Sequence, residues 1–448
     1  MRTTDLLASL LLTSALSLSA CGGDDDGGGD DDMMDPDPDP DPDPDPDPGT
    51  EPDGTARVTF LGDIGGLRTP QVGAPVMFVT ADGELLAMEE TDADGRAEGP
   101  VVAGGAIFVL GPPQYDGGPR IGHAALDVQP DDDIVLGGSY GRAGDDGDIS
   151  MQVKLPTVDG AFAYRVDTRC DGFIEADDST IDIVFNDRCD GGPFTAVSVN
   201  TGEEGRLALV VPDLAITDGA TVDLSAMDYV PVPEIAVSLD APEVFTHAQA
   251  DLYWNLVNGE LIVSSGLRGA TVDLTGSDPP VALDRLPGAE LSRLTLSLDT
   301  TGSAHQQIRQ WREAEDGGFV VDLHELAMPL PGEPDYDLDS RTFSWDRGGD
   351  APADATVLSL NWGTGDEWTI LYMVAPPGVS EVVLPELLAD QGAGWLPPTI
   401  DGLKHRVTLF ESTLVDGWDE ARQLGTRIDR IDTDVVEAST TRSAYADY

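Results

Sequence analysis

Runs in which apolar and polar residues alternate, or β-branched residues cluster, recur at 56–61, 76–80, 107–110, 150–155, 161–167, 181–185, 196–200, 206–211 and 221–224. Clusters of Gly, Pro, Asn and Asp separate them, and short runs at this spacing predict the antiparallel strands of β-sandwiches. Similar runs follow at 250–256, 291–298, 318–323, 341–345, 356–362, 367–374 and 405–410. Helical periodicity is confined to 304–315, 385–390 and 417–424. The pattern therefore predicts an all-β chain of tandem antiparallel β-sandwich domains.

The first residues break that pattern. Arg2 precedes an apolar stretch at 6–18 that is too short and wrongly flanked for a membrane-spanning helix. It ends in Leu18-Ser19-Ala20-Cys21, which closely resembles the bacterial lipobox. The resemblance implies a signal peptide over 1–20 and a mature chain that begins at Cys21. It also implies a diacylglyceryl thioether on the Cys21 sulfur and an acylated, palmitate-bearing amino terminus. Each buried methylene contributes about 0.8 kcal/mol, so several chains together make a permanent anchor. Gly22 in the next position resembles outer-membrane sorting more than inner-membrane retention.

From 21 to 56 almost nothing can build a core, because Gly, Asp and Pro dominate and only Met33 and Met34 are sizeable apolar groups. This segment reads as a disordered acidic spacer. Its Asp-Pro repeat from Asp35 to Pro48 favours extended backbone. At about 3.1 Å per residue that block alone spans roughly 40 Å.

Acidic excess runs well past the spacer. The chain carries 84 Asp and Glu against 24 Lys and Arg, a net charge of −60, and lysine occurs only as Lys154 and Lys404. Such a balance repels nucleic acid and anionic membrane surfaces, which excludes both as partners beyond the immediate lipid anchor. With Cys21 lipidated, Cys170 and Cys189 form an even remainder outside the cytoplasm, which reads as one disulfide. Both occur in the same Arg-Cys-Asp-Gly setting after a strand-like run. Two cysteines without nearby histidines make a poor zinc site.

Val72-Gly73-Ala74-Pro75-Val76, followed by Thr91-Asp92-Ala93-Asp94-Gly95-Arg96-Ala97, resembles the carboxypeptidase regulatory-like domains. That likeness covers about 57–137 and implies a transthyretin-like sandwich, a module that is mostly a spacer or binding unit. The stretch 151–229 resembles lipoproteins of predatory or gliding soil and marine bacteria, through Tyr164 to Cys170 and Asp218 to Ser225, and carries no activity with it. All seven tryptophans lie between Trp254 and Trp418, marking a further unit with a larger core. The organisation expected is a regulatory-like sandwich over 57–148, a sandwich with a disulfide over 149–233, and a Trp-containing β-rich domain over 234–448.

Catalytic and metal motifs fail on particular residues. Glu90, Asp92 and Asp94 before Gly95 echo the start of a Ca²⁺-binding loop, yet Val101 stands where the bidentate acid belongs. A hairpin turn is the plainer reading, and Ca²⁺ is the one cofactor these carboxylates suggest. Gly137-Gly138-Ser139-Tyr140-Gly141 spells a nucleophile elbow but is followed by Gly and Asp instead of a helix. His324-Glu325 opens a zinc-protease pattern that Met328 breaks. Trp362 and Trp368 flank a hairpin-like loop, which makes them sugar-stacking candidates against the commoner reading as core tryptophans. These features predict a non-catalytic, lipid-anchored protein of the bacterial cell envelope. It would present β-sandwich domains for binding or structural interaction with a glycan or protein. The alternatives are a carbohydrate-binding surface protein, or an extracellular hydrolase whose carboxylate pair is hidden among so many acids.

Overall fold

The structure is a computed structural model. It describes residues 52–448 except 65–66, 112–117, 140–148, 162, 169–171, 186–193, 203–204, 216, 257–259, 263–269, 276–279, 288, 314–317, 351, 365–366, 389–394, 398, 400–401, 429–437 and 448. The signal segment, Cys21, most of the acidic spacer, Cys170 and Cys189 lie outside the described residues.

The chain is all-β, and each strand-like run of the sequence overlaps a strand. Among the described residues the α-helices are Leu323–Leu326 and Trp418–Leu424, and no helix is long and apolar enough to cross a membrane. Ala304–Glu313 corrects the expectation of a helix at 304–315. Gln306, Ile308 and Gln310 turn to one buried face, while Trp311 is buried on the other. Glutamines at inward positions conceal the period of two that marks a strand. The candidates at 385–390 and 417–424 contain the 3-10 turn Glu386–Leu388 and the helix Trp418–Leu424.

A 13-stranded sheet organises the molecule. From one edge it runs Glu260–Ile262, Phe245–Leu256, Ala289–Thr300, Ala304–Glu313, Ser439–Asp447, Lys404–Ser412, Ala355–Thr364, Glu367–Ala375, Arg120–Val128, Gly105–Leu110, Pro75–Val79 and Leu85–Glu90. Ala270–Asp273 also pairs with Phe245–Leu256. The join between the first hundred described residues and the C-terminal part is the parallel pairing of Glu367–Ala375 with Arg120–Val128, in which Tyr372 lies opposite His123. The other pairings in this sheet are antiparallel. Residues Pro48–Tyr448 group as one compact unit.

Open twisted sheets rarely exceed about ten strands unless other layers cover them. Three smaller sheets do so here. Gly54–Ile64 pairs with Leu67–Pro70, Arg96–Val101 and Asp133–Ser139, and this sheet packs Val58, Phe60 and Ile134 on Phe78, Ile107 and Val374 of the large one. On the opposite face, Tyr336 and Phe343 of the Asp335–Asp337, Thr342–Ser344 and Glu381–Val383 sheet meet Met77, Phe108, Leu360 and Trp362. Burial on both faces explains the uninterrupted apolar run of Gly105–Leu110, which is buried at every position. Farther along, the sheet of Glu234–Asp240, Val281–Asp284 and Phe319–Asp322 covers Leu252, Leu296 and Ile308. A separate sandwich pairs the Ile149–Lys154, Thr180–Phe185 and Thr221–Asp223 sheet with the Tyr164–Thr168 and Gly205–Leu214 sheet around Val153, Val166 and Ile183.

Candidate functional site

The register of five neighbouring strands builds the site. Arg309 lies opposite Thr441, Ser443 opposite Phe410, Tyr445 opposite Thr408, Arg406 opposite Ser359, and Lys404 opposite Asn361. Directly paired residues share a sheet face, and alternate positions along a strand share it too. Gln307, Arg309, Ser443, Tyr445, Arg406, Lys404, Ser359, Asn361 and Tyr372 therefore stand on one face, where they line a cleft of about 700 Å³. That volume falls in the range of small-ligand sites.

Contacts within the face order its side chains. Arg309 Nε donates to Gln307 Oε1 at 2.8 Å. The Arg406 guanidinium lies 4.8 Å from the Tyr445 ring centroid, and the His305 ring stacks on the same tyrosine at 5.3 Å. His305 Nδ1 stands 2.8 Å from Asp299 Oδ1. At the far end, Lys404 Nζ lies 6.0 Å from the Trp368 ring centroid. The basic residues of this face have acids for neighbours: in the register Asp447 lies directly opposite Arg406, and Asp299 lies opposite His305.

One imidazole–hydroxyl pair borders the cleft. His123 Nδ1 lies 2.8 Å from Thr426 Oγ1, and that hydroxyl also accepts from the Gly137 amide at 3.3 Å and donates to its carbonyl at 3.2 Å. His123 packs against Tyr372 and Phe60, and burial pushes its pKa down to about 3. A neutral imidazole that resists protonation is a poor general base near pH 7. Its titration gives a pH signature. The unfolded histidine titrates near 6.5, so the contribution of the neutral folded form is complete above that pH and is lost as pH falls towards about 3. The slope reaches about 1.4 kcal/mol per pH unit at most. Urea unfolding of the parent chain and His123→Asn between pH 4 and 7 checks this. The parent's advantage should shrink as pH falls, and parallel curves would refute it.

The residues singled out in the sequence have separate fates. Asp92 organises a hairpin turn, its Oδ1 accepting from the amides of Arg96 and Asp94 at 2.9 Å each. The Arg96 amide bond is the main cause that holds the Asp92 pKa below the usual carboxylate value. Gly95 supplies the φ of 73° that closes the turn. Glu90 and Asp94 are exposed, and among the described residues no group of three His, Cys, Asp or Glu side chains could hold a metal ion. His324 is exposed on the four-residue helix Leu323–Leu326, and Ser139 ends the strand Asp133–Ser139. Trp362 and Trp368 do not form a joint platform. Trp362 is 3% exposed in the core opposite the cleft, whereas Trp368, 37% exposed, pairs with Gly363 on the cleft's own face. The cleft itself went unseen in the sequence, although Lys404-His405-Arg406 is a basic group in a chain with two lysines.

No family model matches this chain, and no curated protein does. Among solved structures, a shaft pilin of Lactobacillus rhamnosus GG is 9% identical over 38% of this chain and 96% of its own, with a TM-score of 0.15. The Bacillus anthracis TIE protein is 10% identical over 60% of this chain and 50% of its own, with a TM-score of 0.16. The major pilin subunit of Bacillus cereus is 10% identical over 60% and 97%, with a TM-score of 0.14. These scores are too low to carry any argument about this chain, and its function has to be read from its own residues.

Proposed function

We propose that this chain is a lipid-anchored, non-catalytic protein of the bacterial cell envelope that holds its β-sheet unit off the outer membrane and binds a partner on the cleft face. The observation that carries the binding reading is the cleft's lining, which gathers basic, amide, hydroxyl and aromatic side chains on one concave sheet face. The imidazole at the border is buried and neutral, as derived above. The lipobox-like Leu18-Ser19-Ala20-Cys21 supports the anchor, and the Asp-Pro block supports the standoff. On the same reading Cys170 and Cys189 close one disulfide in the 149–233 sandwich, where each follows a strand of a different sheet.

Cys21→Ser tests the anchor in the bacterial host. The parent should partition with the membrane fraction and take up labelled palmitate, and the variant should lose both the label and the membrane association. A variant that keeps both would overturn the anchor. Exposure of Trp368 on the cleft face favours a sugar ligand over a protein one, because an aromatic face beside hydrogen-bonding groups suits a polyhydroxylated ring.

A further inference from the structure

We infer that the free edge of the large sheet, the strand Leu85–Glu90, docks an extended segment of another protein that carries Lys or Arg beside apolar residues and adds to the sheet as a further strand. The cleft is built by other strands, so the two sites are tested separately. Leu85–Glu90 ends the strand order and, among the described residues, pairs with Pro75–Val79 alone. At the opposite edge the sheet ends in the three-residue strand Glu260–Ile262, and short edge strands are one way in which sheets avoid pairing with other chains. Leu85–Glu90 is longer and contains neither proline nor lysine. Its backbone has a definite phase. The Thr91 amide donates to the Ala74 carbonyl at 3.1 Å and so points into the sheet. Amide and carbonyl groups alternate in direction along an antiparallel strand. Glu89 and Ala87 therefore bond towards Val76 and Phe78, whereas Met88 and Glu90 direct their N–H and C=O groups away from the sheet. Pro75, which lies opposite Glu90 and has no N–H, fits this phase. A register shift between Phe78 and Val79 ends the regular ladder at Ala87, so the groups offered to a partner are those of Met88 and Glu90.

Side chains select the kind of strand that fits. Met77 is fully buried, but Met88 opposite it is 42% exposed; Val79 is 1% exposed, and Leu85 opposite it is 48% exposed. Directly paired residues share a sheet face, so an apolar layer that is covered over Pro75–Val79 continues uncovered onto the edge strand. An added strand with apolar residues on that face would bury both Leu85 and Met88. Glu84, Glu89 and Glu90 flank this pair, all exposed and, among the described residues, without an ion pair. The nearby Arg96 belongs to the covering sheet. Opposite charges placed across neighbouring strands stabilise the pairing, and like charges oppose it. A second copy would bring its own glutamates to the edge, whereas a basic strand would neutralise the three already there.

Fluorescence anisotropy with the full mature chain in detergent micelles tests this. The probe is a labelled peptide of alternating valine and threonine with a pair of lysines at each end. One control peptide has glutamates in place of the lysines, and another keeps the lysines but has alternate backbone amides methylated. The lysine peptide should bind at least about tenfold more tightly than either control, and its lead over the glutamate peptide should narrow between 0.1 M and 0.5 M NaCl. Met88→Pro removes an outward N–H at an edge position, and it should weaken the lysine peptide by about tenfold while the urea midpoint stays close to the parent's. Met88→Lys keeps the backbone donor and should weaken the same peptide by about fivefold through lost apolar burial and added repulsion. Equal binding of the methylated peptide would overturn strand addition, and equal binding of the glutamate peptide would overturn the basic partner. Failure of the lysine peptide to bind, or binding that neither Met88 variant changes, would overturn the site. A dimer of the mature chain that Met88→Pro abolishes would assign the edge to a second copy and overturn the inference.

Discussion

Replacing Arg422 with alanine should lower the unfolding free energy by about 3–5 kcal/mol, the cost of leaving a buried charge without its partner. Arg422 lies on Trp418–Leu424, and its side chain and that of Asp132 are each 7% exposed. Its Nε is 2.8 Å from Asp132 Oδ2, and its Nη2 donates to Oδ1 at 3.1 Å. Asp132 also accepts from the Gln129 amide at 2.7 Å, so it cannot turn to solvent without breaking a second bond. Beside it, Trp418 Nε1 donates to Asp127 Oδ2 at 2.9 Å. These contacts fasten the C-terminal helix to a turn nearly three hundred residues earlier in the chain. Urea unfolding should show a lower midpoint for Arg422→Ala. Pairing Arg422→Met with Asp132→Leu should recover most of the loss, because an apolar pair of similar volume leaves no orphaned charge. An Arg422→Ala midpoint equal to the parent's would mean that the pair contributes nothing to the join.

Phe78→Ala should cost a similar amount, about 3–5 kcal/mol, for a different reason. Phe78 is fully buried between the large sheet and the sheet that covers it. Its ring lies over Gly99, where an added Cβ would stand 2.5 Å from two ring carbons. Gly99 is therefore the floor of the phenylalanine's site, and Gly99→Ala alone should cost about 1–3 kcal/mol by overpacking. The two changes share one space. In the double variant the new methyl fills part of the cavity, so the combined loss should fall short of the sum of the single losses. Strict additivity in a double-mutant cycle would show that ring and glycine do not share the site.

Much of the fold was legible because most strands bury one face and alternate accordingly, as in Glu234–Asp240. Others escaped for physical reasons. Leu85–Glu90 is an edge strand whose residues are half-buried or exposed throughout, and Asp335–Asp337 and Glu381–Val383 are too short to show a period. Ala304–Glu313 read as a helix because glutamines occupy its inward positions. The parallel join of Glu367–Ala375 to Arg120–Val128 had no local signal, since pairing across 249 residues, as of Thr369 with Arg120, is decided by tertiary packing.

The site was less legible than the fold. Its lining comes from strands far apart in sequence, and in each strand the outward polar residues look like an ordinary solvated face. Only the pairing register brings Arg309, Arg406 and Asn361 together. Trp368 was identified from its flanking position, but the direction of each side chain follows from strand phase, which sends Trp362 into the core. The hairpin turn that Asp94-Gly95 suggested is present, and the Asp92 carboxylate accepts the amides of Asp94 and Arg96 within it.

On the proposed reading the chain is tethered at Cys21 and presented for binding. Intact mass spectrometry of the protein purified from the envelope of its host tests the tether most directly. The predicted result is a mature chain that begins at Cys21 and carries the added mass of a diacylglyceryl group and an amino-terminal acyl chain. A chain that begins elsewhere, or begins at Cys21 with no added lipid mass, would contradict it.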